Sequence, residues 1–316
     1  MTQTDAHIVT LTLNPAVDIS TSVGTIAPFS KLRCEAARRD PGGGGINVAR
    51  VVHRLGRKVL AVYLAGGHTG ESLHALVSRE GIESHVIPIV AETREDFTVF
   101  EKETGRQYRF VLPGPPVDAA SWQSCLHLFE SFAVPPHMVV ASGSLPPGVP
   151  SDFYARLARL LRNKNIRFIL DTSGLALKAA VDEGLYMIKP NLHEMRDLTG
   201  NALENDDALV AAARRLVEER NIEIIALTLA ERGAVLVTRE GAWRAEPPAV
   251  KPLSTVGAGD SFLGVMAASF DAGMDLPVCF RRAVAAGTAA LLAPGTELAV
   301  PADVDRLVSQ TKITRL

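Results

Sequence analysis

The chain has 316 residues, 47% hydrophobic and 22% charged, with a formal net charge of −2. Such proportions belong to a globular protein with a large core, and a charge so near zero gives no long-range field for nucleic acid or an acidic membrane, so a small-molecule partner is expected. Cys34, Cys125 and Cys279 lie far apart and outside any Cys-x-x-Cys spacing, which indicates neither a disulfide framework nor a zinc site and fits a reducing cytoplasm.

The opening stretch "MTQTDAHIVTLTLNP" has neither the basic nor the apolar region of a secretory leader, and later apolar runs stop well short of a membrane span. "HIVTLTL" (7–13) predicts a buried strand. Residues 15–41 carry no helical period and end in glycines, after which "GINVARVVHRLG" (45–56) predicts a helix from Val48, Val51, Val52 and Leu55, closed by Gly56. "VLAVYLAG" (59–66) precedes a helix over 70–80. "DFTVFEKETGRQYRFVLPG" (96–114) predicts a hairpin around a Thr-Gly turn. "HMVVASG" (137–143) precedes a helix over 151–164, while "IRFILDTSG" (166–174) and "YMIKPN" (186–191) each precede further helical patterns.

This alternation predicts an α/β fold, a doubly wound and mostly parallel sheet flanked by helices, in one domain over 1–316. Segments of about 15–41 and 95–114 form a small β-sheet lid. Phe97 and Val99 on one face and Phe100 on the other make the lid a cover for a cleft and a surface for a second subunit, hence a homodimer; packing on its own domain explains the pattern equally well.

Several stretches bear on chemistry. In "STVGAGDSFLG" (254–264), Gly257, Ala258 and Gly259 leave backbone N–H groups open at a helix start, an anion site beside Asp260. An N-cap or first-turn acid is the plainer reading of that aspartate alone. In "DPGGGGINVAR" (40–50), four glycines including Gly43 and Gly44 would let a ligand approach the backbone, with Asn47 in reach; a flexible connector is the alternative. Asn191 and Glu194 in "KPNLHEM" suit Mg²⁺ or its waters, although a capping box accounts for the pair by itself, and Asp171 at a strand end can join the same cleft. Lys31, Arg33 and Arg94 could fork onto a phosphate or be solvated edge charges, and Asp18 is equally ambiguous. Dinucleotide, P-loop, protein-kinase and serine-hydrolase signatures are absent, and the histidines show no paired spacing for a metal.

"PGGGGINVAR", "KPNLHE" and "STVGAGDSFLG", in that order, with "TLTLNPAVD", "KLRC", "YRFVLPG" and "SGSLPPGV" between them, make the whole chain resemble the ribokinase-like carbohydrate kinases of the PfkB type. The resemblance implies transfer of the ATP γ-phosphoryl group to a sugar phosphate, with Asp260 as base and the N–H groups of Gly257, Ala258 and Gly259 holding the phosphoryl oxygens. It assigns the sugar to Asp18, Gly43, Gly44 and Asn47. The phosphates fall to Lys31, Arg33, Arg94 and Ser144, with Arg94 reaching across a dimer as a variant of that role. Lys189, Asn191, Glu194, Thr228 and Gly233 would serve ATP and Mg²⁺, joined by Asp171. Ser254, Val256, Ala290 and Gly295 match a K⁺ site of some members, although Ala293 and Glu297 replace an asparagine and an arginine expected there. "PGGGGIN" and "KLRC" lean toward fructose 6-phosphate as acceptor, with fructose 1-phosphate or tagatose 6-phosphate next. A non-catalytic sugar-phosphate or nucleotide sensor would lack the base or the anion turn, and a nicotinamide dehydrogenase would carry the missing fingerprint.

Overall fold

The computed structural model describes residues 5–316; residues 1–4, where the stretch read for a leader begins, lie outside the described residues. The β-branched run near the N-terminus forms β1 (Ile8–Thr12), followed by β2 (Ala16–Val23) and, after an irregular segment, β3 (Arg38–Gly42). Next come α1 (Gly44–Arg54), β4 (Val59–Ala65), α2 (Gly67–Arg79), β5 (Glu83–Pro88), β6 (Arg94–Glu101) and β7 (Arg106–Phe110). The middle of the chain gives α3 (Ala119–Glu130), β8 (Met138–Ser142), α4 (Phe153–Asn163), β9 (Arg167–Asp171), α5 (Gly174–Val181) and β10 (Met187–Ile188). It continues through α6 (Leu192–Thr199), α7 (Asp206–Glu219), β11 (Ile224–Thr228), β12 (Ala234–Val237) and β13 (Ala242–Glu246). The last elements are α8 (Ala258–Asp271), α9 (Leu276–Ala290), α10 (Pro301–Val308) and β14 (Lys312–Arg315).

Ten strands form one sheet in the order β14-β13-β12-β11-β10-β9-β8-β1-β4-β5. The seven from β11 to β5 run parallel, and β12, β13 and β14 extend the sheet antiparallel. Because strand side chains alternate between faces, β1 sends Val9 and Leu11 to one core and Ile8 to the other. Helices α3 to α7 cover the first face; α1, α2, α8 and α9 cover the second. From β1 the chain winds outward through β4 and β5, then returns to β8 on the other side and winds through β9, β10 and β11. The winding therefore reverses between β1 and β8, where a doubly wound sheet opens a crevice at its strand carboxyl ends.

The other four strands form the expected small sheet, ordered β3-β2-β6-β7, with β2 and β6 parallel. The predicted hairpin turn falls at Gly105, whose φ of 68° lies in the left-handed region. Phe97 pairs with Phe110 across it, and Phe97, Phe100, Phe110, Val111 and Leu112 are all exposed. Among the described residues no helix is long and apolar enough to cross a membrane.

Candidate active site

The glycine run sits where the small sheet returns to the main sheet. A Cβ on Gly42 would run into the Asp18 carboxylate, one on Gly44 into Ser142 Oγ, and one on Gly45 into the Leu11 carbonyl. Gly43 adds a φ of 109°, reserved for glycine. The run is thus required by close packing of the turn against β1, β2 and β8, beyond any approach of a ligand to the backbone. Its consequence is that α1 begins directly on the crevice, with Gly43, Gly44 and Asn47 lining a cleft of about 270 Å³.

Across that cleft α8 begins. Gly257 adopts φ 78°, and the first helical hydrogen bond runs from the Ser261 N–H to the Gly257 carbonyl. The N–H groups of Ala258, Gly259 and Asp260 consequently have no helical acceptor and lie at the positive pole of a 14-residue helix. Gly257, not Asp260, is the N-cap; Asp260 sits in the first turn, where the plainer reading of a first-turn acid also places it, and it makes no side-chain cap. Its Oδ2 instead accepts a hydrogen bond of 2.9 Å from Asn47 Nδ2. Burial raises the Asp260 pKa to about 6; the Asn47 bond, Lys189 and Arg109 restrain the rise, while the Asp171 charge adds to it.

Asn47 is itself held. Arg50, 1% exposed, donates from Nη1 to Asn47 Oδ1 (3.3 Å) and to the Pro41 carbonyl (3.2 Å), and from Nε to Glu80 (2.7 Å). With its oxygen facing a guanidinium, the amide must turn its nitrogen toward Asp260.

The ends of β8, β9 and β10 close the floor. Ser142 ends β8, with Gly143 and Ser144 following it, and Asp171 ends β9, with Thr172 and Ser173 following it. Lys189 Nζ lies 3.1 Å from Asp171. Burial opposes its charge, but Asp171, Asp260 and Glu194 outweigh burial and hold the ammonium above the ordinary lysine range. Asn191 and Glu194 form the capping box at the start of α6, so the bland reading of that pair is correct. Glu194 nevertheless also lines the cleft, and burial, with a contribution from Asp171, raises its pKa.

Thr228 pairs with Asn191 through a β-bridge, which sets the end of β11 beside α6. Gly233 has a simple structural reason: a φ of 85° and a Cβ that would collide with the Ala245 carbonyl.

The small sheet supplies the remaining wall through Asp18, Arg94, Asp96 and Arg109. Asp18 is 4% exposed, and burial raises its pKa to about 6 against the opposing charge of Arg109. Arg94 lines the cleft of its own chain, its guanidinium donating to Asp96, the Leu112 carbonyl and the Asn14 carbonyl. Lys31 and Arg33, by contrast, lie on the exposed irregular segment between β2 and β3 and do not line the cleft.

The sequence pattern of the family described as pfkB family carbohydrate kinase matches residues 9–303. The chain belongs to that family. Among its similar proteins is ATP-dependent 6-phosphofructokinase isozyme 2 of Mycobacterium tuberculosis, 44% identical over 95% of this chain and 88% of the relative. The Escherichia coli protein of the same name is 38% identical over 95% of this chain and 97% of its own. A crystal structure of phosphofructokinase-2 from Escherichia coli in complex with potassium superposes with a TM-score of 0.92 at 36% identity, covering 96% and 98% of the two chains.

Ser254 Oγ donates to the Gly295 carbonyl (2.7 Å) and accepts from the Val256 N–H (3.2 Å), so three of the four residues matched to a cation site converge. Ala290 ends α9, and its carbonyl accepts the Ala293 N–H. Sequence reading passed over Asn14, Asp96, Arg109, Ser142 and Thr172, all of which line the cleft. Arg109 had one usable signal: it lies in the arm of the predicted hairpin that pairs beside Phe97. The others are single polar residues at strand ends, which only the sheet order gathers.

Proposed function

We propose that the chain is an ATP-dependent sugar-phosphate kinase whose acceptor is fructose 6-phosphate, converted to fructose 1,6-bisphosphate. The observation that carries the chemistry is Asp260: a carboxylate oriented by Asn47 at 2.9 Å, next to the free N–H groups of the α8 N-terminus. The acceptor rests on the two relatives named 6-phosphofructokinase.

Asn47 occupies Oδ2, which leaves Oδ1 of Asp260 for the sugar hydroxyl. As the hydroxyl oxygen bonds to the γ-phosphorus and the bond to the departing ADP oxygen breaks, the hydroxyl proton passes to Asp260. A pKa of about 6 makes this aspartate a better base than an ordinary carboxylate while leaving it ionised at neutral pH. The N–H groups of Gly257, Ala258 and Gly259, with that of Asp260, hold the equatorial oxygens, over which the charge is spread in a loose transfer. Lys189 is protonated and within reach of the same end of the cleft. Asp18, Gly43, Gly44 and Asn47 take the sugar, and Arg94, Arg109 and Ser144 the phosphate it carries.

Asp171 and Glu194 offer hard oxygens, and the way Asp171 raises the pKa of both Glu194 and Asp260 marks a floor with surplus negative charge. That donor set fits Mg²⁺, which would neutralise phosphate charge when bound with ATP. The Ser254 hydroxyl and the Gly295 carbonyl, 2.7 Å apart, are oxygen donors of the kind K⁺ takes, and the likeness to a structure solved with potassium supports a K⁺ site among Ser254, Val256, Ala290 and Gly295. We assign a homodimer to the exposed apolar surface of the small sheet.

The test is release of ADP with fructose 6-phosphate, fructose 1-phosphate and tagatose 6-phosphate as acceptors. The highest kcat/KM is expected with fructose 6-phosphate, and a preference for fructose 1-phosphate would overturn the acceptor.

A further inference from the structure

At the opposite end of the sheet from the cleft, three side chains from distant parts of the sequence converge. His7 immediately precedes β1, and His137 immediately precedes β8. These strands are parallel neighbours, and the His137 N–H donates to the His7 carbonyl at 2.9 Å, so the two imidazoles are fixed side by side with centroids 4.2 Å apart. Asp271 is the last residue of α8, and its side chain is only 4% exposed. A carboxylate there faces the negative pole of its own helix, whose last turn holds no basic residue, so its charge must be balanced from other elements.

The balance is uneven. Arg57 Nη1 lies 3.5 Å from Oδ2. Oδ1 faces both histidines, with His7 Nδ1 at 3.1 Å and His137 Nδ1 at 3.8 Å. The first is a hydrogen bond; the second is too long to be one. Two imidazolium rings stacked this closely would also repel each other. A single dication resolves both defects, because nitrogen and oxygen ligands about 2.0–2.2 Å from a tetrahedral ion stand roughly 3.4 Å apart, between the two observed spacings.

We propose that His7 Nδ1, His137 Nδ1 and Asp271 Oδ1 form a site for one late first-row divalent cation, Zn²⁺ foremost, with water in the fourth position. Borderline imidazole and carboxylate donors select such an ion over Mg²⁺. The proton of the His7 Nδ1–H bond moves to Nε2 when the metal takes its place, so a neutral imidazole binds without leaving the ring. Arg57, holding Oδ2, orients the carboxylate from the second layer of contacts. Both histidines are more than half exposed and border a surface depression of about 460 Å³, which gives the ion a way in. The ion would clamp β1, β8 and α8, the helix whose other end carries Asp260.

The test uses the full-length, untagged, nucleotide-free chain after chelator treatment, titrated with Zn²⁺ in excess Mg²⁺ so that oxygen-only sites in the cleft are occupied. One Zn²⁺ per chain is expected, with a rise in Tm and, for Co²⁺, the visible absorption of a four-coordinate ion. His7→Ala and His137→Ala should each weaken binding by about tenfold or more, and the double variant should lose both the binding and the Tm response. The metal-free Tm of each variant, expected to match wild type, checks folding without reference to the metal. Failure of the wild type to bind, or binding that survives in the double variant, overturns the proposal.

Discussion

Asp260 and Asp18 carry the electrostatic cost of the cleft, each pushed to about 6 mainly by burial. A base must be ionised to work, so kcat/KM is expected to fall as pH drops through about 6, with both groups contributing to the acid limb. Asp260→Asn should lower kcat by about 10²–10⁴-fold while ATP binding, followed by calorimetry, stays near wild type; equal loss of both would make Asp260 a structural residue. Stability responds with the opposite sense. A carboxyl whose folded pKa exceeds its unfolded value costs nothing below the unfolded value of 3.8, and its penalty grows until pH passes about 6. Asp18→Asn is therefore expected to be stabilising above that pH, by at most about 3 kcal/mol at 1.36 kcal/mol per pH unit, and neutral near pH 4 or below, as denaturant titrations across that range would show. The same substitution should raise KM for the sugar phosphate.

At the scale of elements, α1 and α8 pack closely, Val48 and Val51 lying against Gly264, and one amide, that of Asn47, joins them at the cleft. The path from Glu80 through Arg50 and Asn47 to Asp260 crosses from the end of α2 to α1 to α8, and within it only Asn47 touches Asp260, the proposed base. Arg50 is a positioning residue, and Arg50→Met frees the Asn47 amide to rotate. The expected result is a fall in kcat of order 10-fold to 100-fold with KM for ATP little changed. Asp260 loses a bond that lowers its pKa and Asp18 loses the Arg50 charge that lowers its own, so the acid limb should also move to higher pH; lowered stability with kcat unchanged would make Arg50 purely structural. The glycine run belongs to this scale too. Its residue types were visible as a ligand-binding turn, but their reason is contact with Asp18, Ser142 and Leu11, partners up to about a hundred residues away. The Asn191 and Glu194 pair shows the reverse case: the capping box read locally is present, and the same glutamate also faces the cleft.

For the whole molecule, the small sheet serves two surfaces. Its inner side brings Asp18, Arg94, Asp96 and Arg109 to the cleft, and its rim exposes Phe100 at 38%, Phe110 at 54%, Val111 at 57% and Leu112 at 44%. An apolar patch of that kind is the mark of an association surface. If this surface carries the proposed homodimer, the wild type sediments as a dimer and Phe110→Glu as a monomer; because Arg109 is adjacent, the same substitution is expected to raise KM for the sugar phosphate.

The sequence by itself determined the alternation of strands and helices, the small sheet and its Thr-Gly turn, and the glycine turn that opens α8, because periodicity and left-handed turns are properties of a few consecutive residues. It also determined the family, since whole motifs survive in chain order. The tertiary structure alone decided which polar residues share the cleft. Ser142 and Asp171 meet because β8 and β9 pair in register, and Asp260 faces them from α8 across the crevice where the winding reverses; strand order depends on pairing between segments that no local pattern encodes. The pairing of β1 with β8 sets His7 beside His137 at the other end of those two strands, where spacing along the chain showed no metal pattern at all.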